Sequence, residues 1–262
     1  KGPHEELFLL SRIHTREEFE STFLLARVEG FDNINVDIMS ALPGQSVAAY
    51  RESLQKVLRL KPQPEHFSAY SLIVEENTPF CEMEKEGRLS LPSEEEDREM
   101  YAETKRILAE QGYTRYEISN YALAGRECIH NLGYWTGVDY IGFGLGASSL
   151  WDRGRYQNVT GMEEYLSLTE QGTAPIKEES VQKLTRRECM EEHMFLGLRC
   201  TAGISKKAFE EKFGVPYETV LGSQTAKLKS RGLIDTDGDR IFLTSLGLDV
   251  SNQVFVEFLL EE

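Results

Sequence analysis

The residues best suited to chemistry gather in 130–149, HNLGYWTGVDYIGFGLGASS, where one histidine stands among four aromatics and five glycines. Gly142, Gly144 and Gly146 read G-x-G-x-G, whereas a dinucleotide cradle needs G-x-G-x-x-G and a P-loop needs a following Lys-Ser/Thr. The stretch is a weak phosphate cradle on that spacing, although glycines beside a strand do let a ligand approach the backbone closely. As a metal ligand, His130 lacks a partner at ligand spacing: Cys128 lies two positions away, with no second pair. A lone histidine is by default a hydrogen-bonded structural residue.

Asp37 is the second candidate, because it interrupts the apolar run NINVDIM. A carboxylate near the C-terminal end of a parallel strand can accept two hydrogen bonds from a ribose or hold an ammonium. Capping the turn that follows is an equal alternative. Arg12, in SRIH, can pair with a ligand carboxylate, as can any surface arginine. The four cysteines, Cys81, Cys128, Cys189 and Cys200, lie 47, 61 and 11 positions apart. None forms a CxxC pair, so the spacing predicts reduced, mostly buried thiols and no cluster motif.

These residues need elements to hold them. Apolar Phe19, Phe23, Leu24 and Ala26 predict a helix over 17–31 that Gly30 can end. NINVDIM (33–39) reads as a strand, LPGQS as a turn, and SVAAYRESLQKVLRL as a helix capped by Ser46. HFSAYSLIV (66–74) is the next strand, which completes a βαβ unit of a parallel sheet. A long amphipathic helix opened by Pro92 and Ser93 runs over 92–113, followed by the strand-like alternation of YTRYEISNYA. Further on come a short strand at 155–160 and helices near 161–171 and 180–199.

From about residue 185 the pattern changes. Helices at 185–199, 205–213 and 216–231 precede GLIDTDGDRIFLT, where Asp237-Gly238 between two apolar runs signals a hairpin. Three helices and a hairpin are the order of a winged helix. Residues 200–262 hold seven Lys/Arg against ten Asp/Glu, a net of −3, and the hairpin tip is acidic at Asp235, Asp237 and Asp239. A wing that meets phosphate needs the opposite sign, so the module reads as structural.

The whole chain has 262 residues, 29 basic and 44 acidic side chains and a formal net charge of −15. A field of that sign repels nucleic acid and anionic lipid. The acidic excess concentrates around 75–110 and reads as a solvated loop and helix face. No apolar run reaches about 18 residues, and the first residues lack the pattern of a signal peptide, so the expected location is cytoplasmic.

Three strings carry a resemblance. NINVDIMSALPGQS, FSAYSLIVEENTPF and YEISNYALAGRECIHNLGYWTGVDYIGFGLGASS together resemble the radical-SAM family of oxygen-independent coproporphyrinogen III oxidases. Within it, the His-Asn-x-x-Tyr-Trp string (His130, Asn131, Tyr134, Trp135) is similar to the haem-chaperone subgroup, HemW. The likeness implies an α/β fold: the C-terminal part of a partial (β/α)6 radical-SAM barrel with an α+β extension, over residues 1–184, then a winged-helix-like domain, 185–262. It implies that the chain starts after the fourth barrel strand, without the CxxxCxxC loop that binds a [4Fe–4S] cluster. On that basis it is the C-terminal two-thirds of a longer protein and inactive alone; whether the full protein is an enzyme stays open.

By the resemblance, Asp37 matches the strand carboxylate that contacts S-adenosylmethionine, and Arg12 falls where the family places an arginine near the cofactor carboxylate. Ile73 and Ser148 match positions against the adenosine part, and His130 is the haem-related residue. The implied cofactors are S-adenosylmethionine and a [4Fe–4S] cluster, with haem as bound cargo for haem-accepting proteins. A homodimer is left open; nucleic acid and a membrane span are not expected. The alternatives are a true coproporphyrinogen oxidase, whose sequence differs where HNLGYW stands, and a winged-helix DNA-binding regulator.

Overall fold

A computed structural model describes Leu10 and residues 14–260. The chain forms two compact units, Lys1–Glu127 and Cys128–Glu262.

In the first unit, helix α1 (Arg16–Val28) starts in a capping box. The Thr15 hydroxyl accepts from the Glu18 amide, and the Glu18 carboxylate accepts from the Thr15 amide, so two otherwise orphaned donors are satisfied at once. Gly30, at φ +93°, lets the chain turn out of the helix as expected. Strand β1 (Asn35–Ser40) leads through the turn to α2 (Val47–Leu58), whose first turn is capped by Ser46 at 3.2 Å from the Ala49 amide. Strand β2 (His66–Ser71) pairs with β1 in parallel, Asp37 opposite Ser68, which confirms the βαβ unit.

A short helix α3 (Pro79–Lys85) precedes α4 (Glu94–Glu110), which opens in a second capping box on Ser93 and Glu96. The stretch YTRYEISNYA is not one strand. It makes two short ones, β3 (Thr114–Arg115) and β4 (Asn120–Ala122), paired antiparallel. The reason is local: the Glu117 carboxylate accepts from the Ser119 amide, and the Arg115 guanidinium donates to the Glu117 and Ile118 carbonyls. These side chains satisfy a turn that an extended chain would leave unfilled. Because β4 runs antiparallel to β2, the sheet, in order β1-β2-β4-β3, is mixed. Its core face (Val36, Ile38, Phe67, Ala69, Tyr121) packs with Tyr50, Leu54, Met100 and Leu108 from α2 and α4. Burying each of its Val, Ile, Leu, Phe and Met side chains is worth roughly 1.5–3 kcal/mol of transfer free energy.

The second unit begins with α5 (Ile129–Thr136), so HNLGYWT is helical rather than a glycine turn. Gly137, in the left-handed region at φ +70°, ends it. Strands β5 (Ser148–Trp151), β6 (Gly154–Gln157) and β7 (Gln182–Lys183) form an antiparallel sheet, with α6 (Met162–Glu170) inserted before β7. Then come α7 (Arg186–Gly197), β8 (Ile204–Ser205), α8 (Lys206–Phe213), α9 (Tyr217–Ser230), β9 (Ile234–Asp237) and β10 (Arg240–Leu243). The expected three helices and hairpin are present, and Gly238 takes a positive φ at the tip. Helices α10 (Ser245–Asp249) and α11 (Ser251–Val256) close the unit. Met194, Leu198, Phe209, Tyr217, Leu221, Ile241 and Phe258 form its core. The boundary expected at 184/185 is internal to this unit, just ahead of α7. No helix among the described residues is long and apolar enough to cross a membrane.

Candidate functional site

Strand β1 alternates, with exposed Asn35 and Asp37 between buried Val36 and Ile38. A period of two sends alternate side chains to opposite faces, so pairing puts Asn35, Asp37, His66, Ser68 and Asn120 on one polar face of the sheet. On that face Asn35 Nδ2 donates to Asp37 Oδ1 at 2.7 Å. Asn35 Oδ1 lies 2.6 Å from His66 Nδ1 and accepts from Ser68 Oγ at 3.2 Å. His66 Nε2 lies 2.7 Å from the Tyr116 hydroxyl, and the two rings meet edge to face. His66 is buried, and burial pushes its pKa down more than the neighbouring Asp37 and Glu127 charges raise it. Asn120 Oδ1, on the same face, is buried with no hydrogen-bond partner among the described residues.

Asp37 borders a cleft of about 340 Å³ lined in part by Phe19, Met39, Leu42, Lys56 and Tyr70. It does not cap the following turn. Gln45 does that work, its side chain accepting from the Leu42 amide, while Ser46 caps α2. A carboxylate offers about four lone-pair sites and Asn35 takes one, so Asp37 keeps capacity for a ligand's hydroxyl groups. Ile73 lies two residues past the end of β2 and is 73% exposed. It is five residues further along the strand direction than Ser68, the partner of Asp37, about 16 Å if extended. Arg12 lies outside the described residues.

In the second unit, His130 and Tyr134 stand one helical turn apart on α5, which brings their rings edge to face at 4.7 Å. Tyr134 in turn meets Tyr140 at 4.8 Å. Trp135 points to another side of the helix, under the Arg199 guanidinium at 4.4 Å, as α5 packs on α7. His130 departs from the default for a lone histidine: it is exposed, and its ring has no hydrogen-bond partner among the described residues. Ile129 and Val138 nearby in sequence are also exposed, at 84% and 57%.

The glycine run is occupied by its own chain. Gly142 N donates to Ser149 Oγ, Gly144 N to the Tyr165 hydroxyl and Gly146 N to the Val159 carbonyl. Asn158 Nδ2 donates to the Gly142 and Gly144 carbonyls. A Cβ on Gly142 would stand 2.3 Å from the Ser148 carbonyl oxygen, so the loop's own packing requires that glycine. Amides already donating inward cannot cradle a phosphate. Ser148, the first residue of β5, is exposed.

No group of three or more His, Cys, Asp or Glu side chains among the described residues is placed to hold a metal. Cys81 and Cys200 are buried and Cys128 and Cys189 half-buried, all free thiols. Of the polar-face residues, the sequence pointed to Asp37 alone. Asn35, His66 and Ser68 were visible as polar positions at a period of two, but their joint action needed the pairing of β1 with β2.

Residues 184–250 match the HemN C-terminal domain family. The whole fold resembles coproporphyrinogen III oxidase (HemN) of Escherichia coli, a radical-SAM enzyme, with a TM-score of 0.78 over 98% of this chain and 61% of that one, at 20% identity. The class defined is therefore a HemN-like fold, here in part. Curated relatives include haem chaperones of the HemW type. The chain is 39% identical over 250 residues to the haem chaperone HemW of Bacillus subtilis (strain 168), covering 95% of this chain and 65% of the relative. It is 36% identical over 254 residues to that of Lactococcus lactis subsp. lactis (strain IL1403), covering 97% and 65%. The chain thus spans just under two thirds of the length of these curated relatives.

Proposed function

We propose that the chain carries the haem-binding and nucleoside-contacting parts of a HemW-type radical-SAM haem chaperone. The observation that carries this reading is α5, whose first turn presents His130 to solvent with its ring edge-on to Tyr134. An imidazole lone pair is an axial ligand for haem iron. Exposed Ile129 and Val138 supply apolar surface of the kind a porphyrin covers. Haem is cargo in this reading, taken up here and passed to haem-accepting proteins.

Asp37 is assigned to the ribose of S-adenosylmethionine, which fits its open lone pairs and its place on a cleft. Arg12, Ile73 and Ser148 take their assignments to the same cofactor from the family resemblance alone. When bound, S-adenosylmethionine supplies a sulfonium whose carbon–sulfur bond is cleaved reductively in this family. The four cysteines of this chain do not fit a [4Fe–4S] cluster, and no step of that cleavage is assigned to its residues. The match that begins at residue 184 supports a domain boundary at 184/185. The winged helix is read as structural and not as a nucleic-acid reader, because the basic residues at the end of α9 are already paired: Lys227 and Arg231 with Glu257, and Lys229 with Asp235. A cytoplasmic location belongs to the same reading, and gel filtration decides whether the protein works as a homodimer.

Haem titration of the full-length protein followed by Soret absorbance tests the proposal. His130→Ala should weaken uptake by at least about tenfold, the cost that loss of even a ligand's outer-shell partner typically carries; an unchanged Soret titration overturns the assignment. In an anaerobic assay with coproporphyrinogen III, efficient protoporphyrinogen formation would instead favour the oxidase.

A further inference from the structure

We propose that Asn35, His66 and Tyr116 are positioning residues for Asp37: a one-way hydrogen-bond relay that turns its carboxylate toward the vicinal hydroxyls of a bound nucleoside. The ligand half of this statement rests on the reading of Asp37 given above. The relay half rests on geometry and can be judged without it.

The direction of each bond follows from the one before. An ionised carboxylate only accepts, so the Asn35 atom 2.7 Å from Asp37 Oδ1 must be the amide nitrogen. With the opposite amide orientation two oxygens would face each other at that distance. Asn35 Oδ1 therefore points the other way, accepting from Ser68 Oγ at 3.2 Å and standing 2.6 Å from His66 Nδ1. An oxygen at that distance needs a donor, so the proton of His66 sits on Nδ1. A buried imidazole is neutral and carries one N–H, which leaves Nε2 as an acceptor for the Tyr116 hydroxyl at 2.7 Å. Every donor in the series Tyr116, His66, Asn35 points toward Asp37.

The arrangement matters because Asn35 and Asp37 are exposed, whereas His66, beside Asn35 on the neighbouring strand, is buried. Two short side chains on an open strand face would otherwise sample several rotamers. Tying them to a buried imidazole removes that freedom before a ligand arrives, which is the physical content of preorganisation. One oxygen of Asp37 is committed to Asn35, and the other is left to the ligand.

The test has two readouts. In ¹⁵N NMR of the full-length protein, His66 should rest in the Nδ1–H tautomer, and Asp37→Ala should abolish that preference. Resting in the Nε2–H tautomer overturns the relay, whatever the variants do. The second readout is binding of S-adenosylmethionine by calorimetry. Asn35→Ala and His66→Leu should each weaken it by about fivefold, the equivalent of one lost hydrogen bond. His66→Asn, whose amide nitrogen falls near the position of Nδ1, should restore most of the affinity. If Asp37→Ala leaves binding intact, the ligand reading falls. If Asp37→Ala weakens binding while Asn35→Ala and His66→Leu bind as the parent does, the relay falls.

Discussion

His193 should make the second unit acid-sensitive. It lies on α7 with its ring against both Phe209, at 5.8 Å, and Phe213, at 5.6 Å, and its Nε2 is buried with no hydrogen-bond partner among the described residues. Burial first, and the Lys212 charge second, push its pKa from 6.5 down to about 4. The unfolded chain therefore binds this proton more readily than the native one between those limits. The contribution of neutral His193 is complete above about pH 6.5 and is lost as the pH falls toward about 4. At 1.36 kcal/mol per pH unit the full loss is about 3 kcal/mol, of which about 2 kcal/mol is gone by pH ~5. His193→Leu removes the titration and the orphaned nitrogen while keeping apolar contact with both phenylalanines. The variant should match or exceed the parent near neutral pH and lose the acid dependence in that window. Both tryptophans, Trp135 and Trp151, belong to this unit. Urea unfolding followed by their fluorescence at about pH 7 and pH 5 reports it directly. Equal acid destabilisation of parent and variant would refute the reasoning, as would an NMR titration of His193 near 6.5.

Other outcomes follow from packing and charge. Glu65→Ala should cost about 3 kcal/mol by thermal melting, since it strands the nearly buried Arg27, 2.7 Å away, and removes the acceptor of the Ile34 amide. Lys85→Ala, which breaks an exposed pair with Glu82, should leave the melting temperature essentially unchanged. Gly142→Ala should lower the melting temperature by the equivalent of about 1–3 kcal/mol, because the new Cβ would overlap the Ser148 carbonyl oxygen. Gly172→Ala meets open space and should show only the penalty of its positive φ, about 1–2 kcal/mol.

The helices were legible because their signals are local. Thr15 with Glu18, Ser46, Ser93 with Glu96 and Thr185 with Glu188 each announce a start within three residues, and the structure shows each cap bonded. The Asp237-Gly238 turn and the winged-helix order were legible for the same reason. YTRYEISNYA misled because alternation alone cannot register that Glu117 and Arg115 would fill a turn. HNLGYWT was hard to place because Gly133 dilutes its helical period, which appears only once Trp135 packs beneath Arg199, just past the end of α7.

The site divides along the same line. By itself the sequence determined that a carboxylate stands inside a βα strand, that a lone histidine opens a glycine-rich aromatic stretch, and that no cysteine pair matches a cluster motif. Only the tertiary structure decided that Asp37 is free of the following turn. It also decided that His66, 29 positions later, and Tyr116, 50 beyond that, stand behind it through Asn35. A cap is written in neighbouring residues, whereas a relay depends on strand register and on a distant hairpin joining the sheet beside β2, which no local pattern encodes.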